Sequence, residues 1–255
     1  MKNFVICTTQ RSGKTWLCST LQKLGNFGWP HEYIDAWHKG IPSTLAYLDL
    51  FYNQGVRGII EYIKEETYME SRSKSPLGLA LQWNQLKFLE RMQVVDANEI
   101  LSQLNNSYDF KFFLLMRRDI LQQAISQYIH KESGFAHSFQ DKESREKRLA
   151  VKFSEEEIKL IYLRIFNSYR GWIELFQGNS IDFTTIYYED MCKNIKPVVH
   201  LIAEKIGRDI VDLNRKNIRK SSRSLKKIAN KVDKNFRKKF EKLITKGQMV
   251  LPAHL

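Results

Sequence analysis

The stretch Cys7 to Trp16, CTTQRSGKTW, concentrates the residue types needed to hold an anion. Gly13, Lys14 and Thr15 form the Gly-Lys-Thr ending of a phosphate-binding loop, and Arg11 and Ser12 add a second cation and a hydroxyl. The first glycine of a GxxxxGK[ST] loop would stand at position 8, where this chain has Thr8. A nucleotide triphosphatase would also place a magnesium-holding acid directly after a buried strand. Here the apolar run Phe110–Met116 leads into Arg117 and Arg118, and Asp119 comes two residues late. A loop rich in Arg and Lys, without such an acid, suits transfer of a group already carried on a nucleotide phosphate. The plainer alternative is an ordinary helix N-terminus with a serine cap. The coincidence of strand, turn and basic residues favours the anion.

The elements around this loop follow from hydrophobic patterning. Residues 4–7 read as a short buried strand, and Thr8–Gly13 as a turn. An amphipathic helix runs from about Thr15 to Leu24 and stops at Gly25. Such a strand–turn–helix presents free backbone N–H groups and a positive helix end to a ligand. Further strands are expected at Leu77–Trp83, Phe110–Met116 and Ile181–Met191. Helices are expected at about Asp119–His130, at residues 155–177, and from the last strand to Ile206. Alternating strands and helices predict an α/β fold: a P-loop-like central parallel sheet with helices on both faces. The polar segment Lys131–Lys152 reads as an inserted loop. No internal repeat or linker divides residues 1–255, so a single domain is expected.

The net charge of +13 is concentrated near the C-terminus. Asn214–Lys246 holds 14 basic and 2 acidic residues, a local charge of +12. A basic segment points to an anionic partner or to a solvated helix face. Cys7, Cys18 and Cys192 form no CxxC pair and read as buried free thiols, which suits a reducing, cytoplasmic compartment. No apolar run is long enough to cross a bilayer, and the N-terminus does not read as a signal peptide.

The loop TTQRSGKTWL resembles the 5′-phosphosulfate loop of sulfotransferases, with Arg11 where cytosolic members usually carry Lys. A second resemblance is the strand ending in Arg, followed by a helix with a Ser eight residues on, that holds the 3′-phosphate of the donor. MRRDILQQAISQY offers Arg118 and Ser126 at that spacing, with Arg117 one position away. The chain resembles the bacterial trehalose 2-sulfotransferase family. The likeness rests on QRSG, on GWPHEYI (Gly28–Ile34), on WNQ (Trp83–Gln85) and on the stretch from Arg117 to Ser126. It departs at Ala80, where the family has Lys, and at Lys227-Ile228, where the family has Arg-Gln.

The resemblance implies the sulfotransferase fold and transfer of a sulfuryl group from 3′-phosphoadenosine 5′-phosphosulfate (PAPS) to a hydroxyl of a carbohydrate or glycolipid. The product would be 3′-phosphoadenosine 5′-phosphate (PAP), no metal ion would be required, and the enzyme would be a homodimer. Glu32 takes the place of the catalytic base, with His31 as the fallback and Arg11 stabilising charge. Arg11, Ser12, Gly13, Lys14, Thr15, Trp16, Arg117, Arg118, Ser126 and Lys227 would bind the donor. Glu32, Trp83 and Gln85 would meet the acceptor, and Trp29 and Trp37 are further stacking candidates. Tyr188, Glu189 and Asp190 read as a strand end and helix cap. Two alternatives remain at this point. One is a P-loop-type small-molecule kinase. The other is a nucleic-acid-binding module built on the basic C-terminus, which lacks a zinc pattern or an aromatic RNA-binding motif.

Overall fold

The computed structural model describes residues 2–25, 27–33, 76–93, 96–134, 142–208, 231–247 and 250–252, with short helical pieces between 53 and 65. Trp37, Lys227 and Ile228 lie outside the described residues, as does most of the basic segment before 231.

Four strands form one parallel sheet: β1 (Asn3–Thr8), β2 (Gly78–Gln82), β3 (Phe110–Met116) and β4 (Phe183–Tyr187), in the order β2-β1-β3-β4. β1, β2 and β3 are mostly apolar because both of their faces are covered, while β4 at the edge is buried only at Ile186. The two-residue period sorts them cleanly. Val5, Cys7, Phe112 and Leu114 enter one core, while Phe4, Ile6, Phe113 and Leu115 enter the other. The second core is closed by α1 (Lys14–Lys23) and α8 (Ile195–Lys205). The first is closed by α2 (Trp83–Arg91), α3 (Ala97–Asn106), α4 (Ile120–Ser133), α6 (Glu155–Gly178) and α9 (Lys231–Thr245). No described helix is long and apolar enough to cross a membrane.

The chain reverses its winding direction at β1. It steps from β1 to β2 on one side, then crosses over β1 to reach β3 on the other. In open α/β sheets that reversal leaves a crevice at the carboxyl ends of the two strands. Thr8 pairs with Leu115 and Gln82 in register, so the loop after β1 emerges beside the ends of both β3 and β2.

Several local expectations are corrected. Trp83 opens α2 and is not part of a strand. The last strand stops at Tyr187, and Tyr188 begins the short helix α7 (Tyr188–Lys193). The run Ile181–Met191 is apolar enough to look extended throughout, but a helix places Met191 in the core and turns Glu189 and Asp190 back towards β3. The segment expected as an inserted loop contains the end of α4 and the helix α5 (Lys142–Ala150). Within it, Arg148 is buried in an ion pair with Asp233 of α9 at 2.6 Å. Polarity suggested a loop because that pairing depends on an acid far away in the sequence. Cys7 and Cys18 are buried as expected, but Cys192 is exposed.

Candidate active site

Thr8, which replaces the first P-loop glycine, ties the loop to the sheet. It is fully buried, and its hydroxyl lies 2.8 Å from the Leu115 carbonyl and 2.6 Å from Ser12 Oγ. Trp172 donates its indole N–H to the Thr8 carbonyl at 2.9 Å. Buried Gln123 donates to Thr9 Oγ1 at 2.8 Å and to the Gln10 carbonyl at 2.6 Å, and accepts from the Tyr169 hydroxyl at 3.0 Å. Helices α4 and α6 therefore hold the loop from below through hydrogen bonds that ordinary core residues could not supply.

Two left-handed residues shape the loop, Arg11 at φ 61° and Gly13 at φ 94°. Gly13 is the N-cap of α1 and supplies no side-chain cap, so the positive end of the helix stays open. Glycine is required there twice over. Its φ is unfavourable for other residues, and an added Cβ would lie 2.4 Å from Cδ2 of Tyr188. The Tyr188 ring meets Trp16 edge-on at 6.3 Å and carries the Arg117 guanidinium over its face at 4.4 Å.

The two successive arginines part company. Arg117 is largely buried and donates to the Arg11 carbonyl at 3.4 Å, with its Nε 3.9 Å from Glu189. Arg11 donates from Nε to Ser126 Oγ at 3.3 Å. Arg118 lies over the Tyr187 ring and makes two bonds to Asp190, at 2.9 and 2.8 Å. The structure thus gathers Arg11, Arg117 and Ser126 at the loop and engages Arg118 with Asp190. Burial, then the nearby Arg148 and Arg117, push the Arg11 guanidinium down to about 10. It remains charged at neutral pH, in surroundings that an anion would relieve.

Glu32 meets the loop at Lys14. Its Oε2 pairs with the Lys14 ammonium, and its Oε1 accepts from the Gln82 amide and, at 2.9 Å, from the Gln85 amide. Burial raises the Glu32 carboxyl. The Lys14 charge and the bonds from Gln82, Lys14 and Gln85 outweigh burial and hold it below the usual carboxylate range. His31 is exposed, and its backbone is stitched to β2 through the Ala80 N–H at 2.9 Å. Its ring lies against Tyr33 at 5.7 Å. Gln85 is buried, and its Oε1 accepts the Gln82 backbone N–H at 3.1 Å in a capping box. Both ends of its amide are therefore committed within the protein. Trp83 packs edge-on against Trp172 at 5.2 Å and against Gly171, as a wall of the core. Trp29 is partly exposed.

A family model for Stf0 sulphotransferases matches residues 3–242. The chain belongs to the Stf0 sulphotransferase family. It is a sulfotransferase enzyme, which decides against the kinase alternative. Among solved structures it is similar to the sulfotransferase domain from the Synechococcus PCC 7002 olefin synthase, at 14% identity, 99% coverage of this chain, 98% of that one, and TM-score 0.41. It is also similar to the sulfotransferase domain from the curacin biosynthetic pathway, at 12% identity, 99% coverage of both chains and TM-score 0.44. No curated protein sequence matches the chain.

Within this Stf0 chain, sequence reasoning missed Gln82 as a partner of Glu32 and the Glu189–Asp190 pair as the organiser of the two arginines. The first had a signal, since Gln82 directly precedes the WNQ motif. The second had none, because Arg118 and Asp190 are separated by 72 positions.

Proposed function

We propose that this sulfotransferase moves the sulfuryl group of PAPS to a hydroxyl of a carbohydrate or glycolipid, as a single catalytic domain, with Glu32 as general base and PAP as the product. The observation that carries this reading is the meeting of the Lys14 ammonium and the Glu32 carboxylate at the open N-terminus of α1. A cation for the donor and an acceptor of protons stand close enough to serve the two ends of one transferring sulfuryl group. The residues suit the donor: an uncapped helix start, two left-handed turns and the charges of Arg11, Lys14 and Arg117 face one loop.

In this scheme Glu32 takes the proton of the acceptor hydroxyl as its oxygen bonds to sulfur. The bond from sulfur to the 5′-phosphate oxygen breaks, and its electron pair leaves with PAP. The first-turn N–H groups, Lys14 and Arg11 stabilise the charge that develops there. Arg117 and Ser126 are assigned to the 3′-phosphate, since Arg118 is engaged by Asp190, and Arg11 stands between them and the 5′-phosphosulfate loop. Trehalose, the named substrate of the resembled family, is the first acceptor to test, and a homodimer the first assembly.

The test is a panel of sugars and glycolipids incubated with enzyme and PAPS, read by the mass gain of one sulfo group and by PAP release. Sulfation of at least one carbohydrate hydroxyl is expected. Transfer only to acceptors without a sugar would overturn the acceptor class.

A further inference from the structure

The bonds on Glu32 are divided unevenly between its two oxygens. Oε1 receives both glutamine amides, and Oε2 receives only Lys14 among the described residues. The amides cannot easily leave. Gln82 ends β2, and Gln85 is buried and pinned by the capping box at the start of α2. Lys14 differs in kind. It stands on a flexible stem at the first position of α1, beside the N–H groups that await an anion. The pair is mostly shielded from water, with side chains 12% and 21% exposed, so the attraction is poorly screened and a competing anion at the loop acts on it strongly.

We propose that Lys14 is a donor-operated latch on the base. Without donor it covers Oε2 of Glu32. An anionic donor in the loop draws the ammonium away and leaves Oε2 open to the acceptor hydroxyl, while Gln82 and Gln85 keep Oε1 in place. Oε2 is then the atom that takes the proton. Gln82 and Gln85 are positioning residues. The base is exposed only when there is a sulfuryl group to transfer, so productive binding runs donor first.

This inference rests on the PAPS reading, and its test separates the two. Protein carrying ¹³C-labelled glutamate side chains is titrated with and without saturating PAP, and the Glu32 signal is identified by its loss in Glu32→Gln. Calorimetry on the same samples records whether PAP binds. Among the described residues, the other titratable groups around Glu32 are Lys14, Cys18 of α1, and His31 and Tyr33 on either side of it in the chain. Burial pushes the Cys18 thiol up to about 12, so it stays neutral throughout the acid titration. The Glu32 midpoint is expected to rise on PAP binding by about one to three pH units, the usual effect of a close opposite charge being removed. In Lys14→Met the midpoint should begin high, and PAP should move it much less. Lys14→Arg keeps the charge and should begin low, as in the wild type.

If PAP binds and the wild-type midpoint stays put, the latch is overturned and the donor reading survives. An equal PAP-induced rise in Lys14→Met also overturns it, because the field of the anion alone then moves Glu32. A high starting midpoint in Lys14→Arg has the same force should the methionine variant not fold. Failure of PAP to bind the wild type sinks the donor reading and the latch together.

Discussion

Arg118 and Asp190 form a two-bond ion pair, at 2.9 and 2.8 Å, while the neighbouring Arg117 donates to the Arg11 carbonyl of the loop. Motif spacing pointed to Arg118 as the reader of the 3′-phosphate. Arg117 is the reader proposed here, because it reaches the Arg11 backbone while Arg11 reaches Ser126. Arg117→Ala should therefore weaken PAP by roughly tenfold or more, since a lost charged hydrogen bond costs about 1.5–3 kcal/mol. It should weaken adenosine 5′-phosphosulfate, which lacks the 3′-phosphate, much less. Arg118→Ala should leave PAP affinity nearly unchanged. Calorimetric titration of the two variants with both ligands decides between the arginines, and a selective loss in Arg118→Ala would restore the spacing argument.

That choice marks where the sequence stops being informative. The strands were legible because a buried parallel sheet favours apolar runs such as Phe112–Met116, and Gly13 and Gly25 bracket α1. The loop between β1 and α1 was legible because its residues are contiguous. Which of two adjacent arginines faces the loop depends on Asp190 and Tyr188, which approach from another strand end. The role of Gln85 was hidden in the same way. WNQ suggested a contact with the acceptor, but the side chain is buried and spends both ends of its amide inside the protein. The burial of Arg148 could not be seen because its partner lies 85 positions away.

Gly13→Ala tests the loop itself. The new methyl group would collide with the Tyr188 ring, and φ 94° disfavours any L side chain. A stability loss of roughly 1–3 kcal/mol is expected, with loss of PAP binding. Adding Tyr188→Leu should recover part of the stability and not all of it, because the backbone strain remains. Full recovery in the double variant, measured by urea denaturation, would show that the clash alone matters.

The Arg148–Asp233 pair is almost wholly buried, at 3% and 1% exposure, and fastens α5 to α9. Asp233→Asn should cost about 3–5 kcal/mol, because it strands a buried guanidinium. Replacing both partners by apolar residues, as in Arg148→Met with Asp233→Leu, should restore most of the loss. The double variant would then separate stability from donor binding, since Arg148 lowers the Arg11 pKa. Equal destabilisation of single and double variants, in matched urea melts, would show that the pair contributes more than mutual neutralisation.

The Glu32 carboxyl is held below its ordinary range in the folded enzyme. A depressed folded value adds stability above the unfolded value, about 4.3, and that stability is lost as pH falls through the lower folded value. Wild type should exceed Glu32→Gln in stability at neutral pH, and the gap should close below about pH 4. Chemical denaturation of both proteins across this window gives the answer. A gap that persists unchanged into acid would mean the carboxylate is not stabilised by Lys14 and the two amides.

Glu32→Gln also tests the chemistry. The substitution keeps the size and removes the proton acceptor, so turnover should fall by about 10²–10⁴-fold, the usual contribution of a general base. PAP affinity should hold or improve, because Lys14 no longer divides its charge between the carboxylate and the loop. His31→Gln should do much less, since His31 is exposed and its backbone is engaged with β2. Gln85→Ala should fall between them. It leaves the base present but removes the 2.9 Å bond that fixes Oε1, so turnover should drop while PAP binding persists. Single-turnover transfer to an acceptor found in the sugar panel, run beside PAP titrations, ranks the three variants. A dead His31→Gln beside an active Glu32→Gln would move the base to the histidine. Loss of PAP binding in all three would make this stretch a support for the donor loop instead.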